Sequence, residues 1–98
     1  MTVLESHVAA DKWEAIGGGV EAARNRLPPQ MVRTYLAQST SDKTLWRIVS
    51  VWKSREALEE YQRSTETPGG VLLFRNVGAE PTLAVFDVVV HAGADTPR

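Results

Sequence analysis

Cysteine is absent from this chain, so disulfides, thiolate metal sites and a cysteine nucleophile are all excluded. An excess of one charge is missing too. Eleven basic and twelve acidic residues leave a net charge of −1, spread along the sequence. That balance offers no electrostatic footprint for nucleic acid or an anionic membrane surface. No apolar run is long enough to cross a bilayer, and the start, Met1-Thr2-Val3-Leu4-Glu5, lacks the basic region of a signal peptide. A cytoplasmic protein without nucleic-acid or membrane partners is the expectation. No internal repeat or low-complexity segment is visible.

What is present is an ordinary globular composition, 43% hydrophobic over 98 residues. That suits one domain, 1–98, with an ordered part of about 2–91. Thr2 to Val8 is β-prone. Asp11 and Glu14 have the spacing of a capping box, and Trp13, Ile16, Val20, Ala23 and Leu27 follow at helical intervals until Pro28-Pro29. Gly17-Gly18-Gly19 inside that pattern predicts a kinked or interrupted helix, or a close backbone approach to a ligand; no phosphate-loop motif follows it.

Gln30 to Gln38 reads as a strand, Ser39 to Lys43 as a polar turn, and Thr44 to Trp52 as a second strand of a hairpin. Ser54 then caps a helix with Ala57, Leu58 and Tyr61 on its buried stripe, running to about Thr65 and stopped by Pro68-Gly69-Gly70. Val71 to Val77 is open: an extra strand, or a short apolar helix or loop closing the end of the sheet, the second being preferred. Leu83 to His91, rich in β-branched residues, predicts the last strand, and the tail from Ala92 to Arg98 is expected to fray.

The order β-α-β-β-α-β is a ferredoxin-like α+β arrangement with an antiparallel sheet. Alternation splits the Thr44 strand into Trp46, Ile48, Ser50 and Trp52 on one face and Leu45, Arg47, Val49 and Val51 on the other. Neither face is clearly polar. Two helices cover only one side of a four-stranded sheet, so the other side predicts a homodimer formed through it.

The ten residues Trp52-Lys53-Ser54-Arg55-Glu56-Ala57-Leu58-Glu59-Glu60-Tyr61, behind Ile48-Val49-Ser50-Val51, carry a resemblance. This junction resembles that of the antibiotic biosynthesis monooxygenase family of dimeric α+β barrels, and the element order fits over roughly residues 2 to 91. The resemblance implies two ferredoxin-like subunits packed sheet to sheet, with a pocket in each between sheet and helices. Family members include cofactor-free oxygenases of aromatic polyketides, haem-degrading enzymes, and proteins without established activity.

Departures from the family pattern bear on the chemistry. Quinone-forming members place an asparagine four residues before the junction tryptophan and a tyrosine six after it; Ile48 and Leu58 stand there. Haem-degrading members place a histidine nine or ten residues after it, where Tyr61 and Gln62 stand, so no haem or other cofactor is expected. His7 and Trp52 are the candidate catalytic residues, and Arg33, Tyr35, Trp46, Tyr61 and Phe74 the candidate contacts to a small aromatic or apolar ligand. His7 or Arg33 would favour an ionised substrate, although Arg33 and Arg47 read equally as partners of Glu5 or Asp87. A two-histidine metal site from His7 and His91 with Glu5 or Asp87 has no supporting spacing, and no metal is expected. The expected function is a cofactor-independent monooxygenase, with a non-catalytic ligand-binding or structural dimer, or a haem-degrading enzyme, as alternatives.

Overall fold

The computed structural model describes residues 1–93. Four strands, β1 (Thr2–His7), β2 (Met31–Gln38), β3 (Leu45–Trp52) and β4 (Thr82–Val85), form one antiparallel sheet in the order β2-β3-β1-β4. Helices α1 (Trp13–Ala23), α2 (Arg55–Ser64) and α3 (Gly69–Arg75) are the other regular elements, after a 3-10 turn at Ala10–Lys12. The ferredoxin-like α+β reading therefore holds. Its open segment resolves as a helix, α3, rather than a strand.

Several local expectations are corrected. Asp11 does not cap α1. It lies within the 3-10 turn, which Lys12 N–H closes on the Ala9 carbonyl at 2.8 Å, and α1 starts behind Lys12 without any side-chain cap. Gly17 to Gly19 neither kink nor break the helix, which is continuous through them and stops at Ala23, short of Leu27. Pro68-Gly69-Gly70 does not end α2, which has already stopped at Ser64; Pro68 instead caps α3, where a proline without an N–H costs nothing. Gly70 lets the first turn of α3 touch the sheet, since a Cβ there would stand 2.5 Å from Leu4 Cδ1. After α3, Gly78 takes φ 77° and Ala79 N–H reaches back to the Phe74 carbonyl at 3.0 Å, a left-handed helix ending that glycine makes cheap.

The last strand is also shorter than its sequence suggests. Thr2 faces Val85, and Met1 and Phe86 exchange the final pair of bonds, Phe86 N–H to Met1 O at 2.7 Å and Met1 N to Phe86 O at 2.8 Å. The pairing with β1 ends at Phe86. Val88, Val89 and Val90 consequently run on unpaired and exposed, at 56%, 89% and 80%. β-propensity needs a partner strand to act on. The tail expected to fray lies, from residue 94, outside the described residues.

Ser54 caps α2 as its position predicts, accepting from Ala57 N–H at 3.0 Å. The core fills the space under the helices with Leu4, Val8, Ile16, Ile48, Phe74, Val77 and Ala79. Leu4 and Ile48 are register partners, as are Leu36 and Ile48, so one face of the three strands supplies one side of that core. No helix among the described residues is long and apolar enough to cross a membrane.

Candidate functional site

Trp52 ends β3 on the helix side of the sheet, and Tyr61 stands two turns into α2 above it. Their rings lie 5.0 Å apart at 36°. Trp52 Nε1–H donates to Thr2 Oγ1 at 3.0 Å, and the Tyr61 hydroxyl accepts from Gly69 N–H at 3.0 Å. Both rings are thus fixed at one point, which ties the end of the sheet to the start of α3. Ring pairs of this kind add about 0.5–1.5 kcal/mol to their burial.

Beneath the pair lies a two-lobed space between sheet and helices. The smaller lobe, about 50 Å³, is walled by Thr2, Trp52, Leu58 and Leu83. The larger, about 220 Å³, opens beside Val20, Leu27, Thr34 and Leu73. Met31, Ser50, Tyr61 and Gly70 border both lobes. A cavity of 150 Å³ admits benzene and drug-sized pockets start near 300 Å³, so about 220 Å³ suits one or two fused rings.

Part of the floor is polar. Thr34, Ser50 and Thr2 are register partners on β2, β3 and β1 and form one row across the sheet. Thr34 Oγ1 lies 2.9 Å from Ser50 Oγ and 3.3 Å from the Val49 carbonyl. Ser50 and Thr2 are 5% and 7% exposed. This row escaped the sequence reading. Ser50 was visible as the one hydroxyl on an apolar strand face, but its alignment with Thr34 and Thr2 depends on register.

A more open groove of about 850 Å³ lies between β3, the start of α2 and the segment after β4, touching Arg33, Arg55, Phe86 and Asp87. One wall is the unpaired segment itself. Arg55 bonds to Asp87 across it, and the guanidinium holds that carboxyl below its usual range, first by the hydrogen bond and then by charge. Its size reflects the overhang rather than a built recess, and the space under α2 and α3 is the better candidate site.

The remaining sequence candidates fall elsewhere. Trp46 packs on Trp13 with ring centres 6.1 Å apart, at the edge of the core, and its Nε1 is buried without a partner among the described residues. Phe74 is fully buried in the core and borders neither lobe, so it is a packing residue rather than a ligand contact. Tyr35 and Arg33 lie on the helix-free face, with Arg33 Nη1 3.4 Å from the Tyr35 hydroxyl. Arg47 pairs with Glu5, its register partner on β1.

His7 ends β1 at the far end of the sheet. Its partner on β3 is Leu45, seven residues from Trp52, a separation of about 20 Å along the strand. Its Nδ1 lies 2.9 Å from Thr44 Oγ1, whose own proton goes to Asp42 Oδ1, so Nδ1 is the donor. The Asp42 carboxyl is lowered mainly by that Thr44 hydroxyl and then by the Thr44 backbone N–H. His7 and Trp52 therefore do not share a site. Among the described residues no three His, Asp or Glu side chains gather into a metal-holding group.

Fold and cavity define an α+β domain with a ligand-sized space between sheet and helices. The family model described as antibiotic biosynthesis monooxygenase matches residues 21–67, from the end of α1 through the hairpin and α2. No curated protein matches the sequence. Among solved structures, a Deinococcus radiodurans protein carrying the antibiotic biosynthesis monooxygenase name is 9% identical, with a TM-score of 0.68 over 98% of this chain and 100% of that one. SnoaB, a cofactor-independent oxygenase from Streptomyces nogalater solved in mutant form, is 18% identical, with a TM-score of 0.65 over 92% of each chain. A protein of Nitrosomonas europaea with the same family name is 17% identical, with a TM-score of 0.61 over 92% of this chain and 91% of that one. At these identities the likeness is one of fold. The matched segment is similar to the antibiotic biosynthesis monooxygenase model, and the fold is shared with structures that carry that name.

Proposed function

We propose that the protein binds a small planar aromatic molecule between sheet and helices and acts on it as a cofactor-independent monooxygenase. The observation that carries this reading is the space between sheet and helices, whose smaller lobe the stacked Trp52 and Tyr61 border and whose larger, ring-sized lobe Tyr61 borders as well. In the reaction proposed, an ionised phenol or anthrone passes an electron to dioxygen. One oxygen atom becomes the new carbonyl and the other leaves as water; its two hydrogens come from the oxidised CH2 of an anthrone, or from the ring C–H and the hydroxyl of a phenol, one of them as the proton lost on ionisation. The chain would contribute a dry space and hydrogen bonds to the developing charge. His7 takes no part in this scheme, because it is exposed at the other end of β1.

A second reading has its own support. Tyr61 and Arg26 are the titratable residues bordering the two lobes, and neither is an ordinary base for proton removal. That favours a non-catalytic binder unless the substrate ionises before it enters. Oxygen uptake with an anthrone, measured with and without protein, separates the two. Uptake above the spontaneous rate supports the enzyme; probe binding without uptake supports the binder.

A homodimer through the helix-free face belongs to the same proposal. Val3, Val49, Val51 and Ala84 are neighbours there by register, with Tyr35 and the Glu5–Arg47 pair beside them. A stable interface on this face would bury more than about 1,000 Å². Sedimentation should give a dimer at micromolar concentration and a monomer for Val49→Lys. A wild-type monomer would refute it.

A further inference from the structure

Hydroxyls buried in a row need a reason, because a sheet face under helices is built more stably from apolar side chains. The neighbours of this row are Leu4, Leu36 and Ile48, yet Thr34, Ser50 and Thr2 interrupt them in line. Each hydroxyl has one proton and two acceptor lone pairs. Thr2 Oγ1 accepts from Trp52, and the Tyr61 oxygen accepts from Gly69; among the described residues neither proton has an acceptor. Thr34 can donate to Ser50 or to the Val49 carbonyl. In the first arrangement the Ser50 proton is also available. Thr2, Tyr61 and Ser50 border the smaller lobe together, and Tyr61, Ser50 and Thr34 the larger.

The cavity is thus a largely apolar slot with several neutral donors, one guanidinium, Arg26, at the edge of the larger lobe, and no carboxylate along its walls. From this we infer that Tyr61 and the Thr34–Ser50–Thr2 row select ligands that carry an acceptor oxygen, a ketone or quinone carbonyl or a phenolate, over ring systems without one. Tyr61 is the leading donor. It borders both lobes and is held by Trp52 and Gly69 together. The inference rests on the reading that the cavity takes a planar ring compound.

The test compares 1-tetralone with tetralin, the same fused rings without the carbonyl, by calorimetric titration of wild type, Tyr61→Phe and Ser50→Ala. Tyr61→Phe keeps the ring on Trp52, and circular dichroism checks its fold; Ser50→Ala supplies the same comparison independently. Wild type should prefer the ketone by about fivefold or more, the worth of one net hydrogen bond. Tyr61→Phe should lower that preference to under about twofold while leaving tetralin affinity unchanged. Equal wild-type affinity for both probes would overturn the donor assignment and leave the cavity reading standing. A preference retained in both variants would overturn the residues named. Failure of both probes to bind wild type would overturn the inference together with the cavity reading.

Discussion

Replacing Trp52 with alanine separates a site wall from a core residue. A fully buried tryptophan costs about 3–5 kcal/mol on truncation. Trp52 is only partly buried, so about half of that burial term, roughly 2 kcal/mol, is at stake. Its Nε1–H bond to Thr2 and its stack on Tyr61 overlap with that figure and lift the total to about 2–3 kcal/mol. For a domain of this size each kcal/mol moves the melting midpoint by about 4–8 °C, giving a fall of roughly 10–20 °C. Phe74→Ala, in the closed core, should cost about 3–5 kcal/mol and serves as the reference. Trp52→Phe should lose mainly the bond to Thr2, about 1 kcal/mol. The assay is thermal melting by circular dichroism at matched protein concentration, with titration of a naphthol probe. Trp52→Ala should remain folded and lose probe binding by tenfold or more. A loss of stability equal to that of Phe74→Ala, with no probe bound by wild type, would make Trp52 a core residue and remove the main support for the site.

Two further predictions concern backbone and charge. Gly18→Ala should stabilise the chain by about 0.5–1 kcal/mol in a denaturant melt, because it lies within α1 with nothing near its would-be Cβ, whereas Gly70→Ala should destabilise it by pushing Leu4 off the sheet. The Arg55–Asp87 pair should anchor the segment after β4 to α2 at neutral pH. The Asp87 carboxyl is depressed in the folded chain, so this contribution is present above the ordinary carboxylate range, about pH 4, and lost as pH falls through the lowered value. Limited proteolysis should cut wild type faster after Phe86 only in acid, and Asp87→Asn faster already at pH 7; equal cutting of both at pH 7 would refute the anchor.

Local signals in this chain were legible wherever a short stretch decides the outcome. Ser54, followed at once by Ala57 and Leu58, sets the start of α2, and the polar run from Ser39 to Lys43 sets the hairpin. Signals that depend on a distant partner were not. Val88 to Val90 have the composition of a strand, but they lie beyond the paired stretch of β1 and β4. Asp11 and Glu14 have capping-box spacing, but the turn out of β1 takes up Asp11 first. Phe74 looked like a ligand contact because it is aromatic, and only the packing of α3 through Gly70 shows that it faces the core.

The site divides along the same line. Trp52 and Tyr61 could be read from the junction because both belong to one continuous strand-to-helix segment, and nine residues of separation bring a helix back over its own strand. Ser50 could be read only as an anomaly, and Thr34 and Thr2 not at all, since their meaning lies in register across three strands. His7 stands out by residue type, yet it is exposed at the far end of β1 and bonds to Thr44. Its Nδ1–H holds the Thr44 hydroxyl, which in turn holds Asp42, at the turn opposite the cavity. Chemical type therefore pointed to the end of β1 opposite Trp52. Apart from Arg26 and Gln62 the polar side chains that border the cavity are neutral hydroxyls, and those of Thr2, Thr34 and Ser50 are brought together by their placement across the strands. Ile48 and Leu58 stand where the resemblance would put an asparagine and a tyrosine, and Ser50 and Tyr61, which border both lobes, lie two residues along β3 and three along α2 from them.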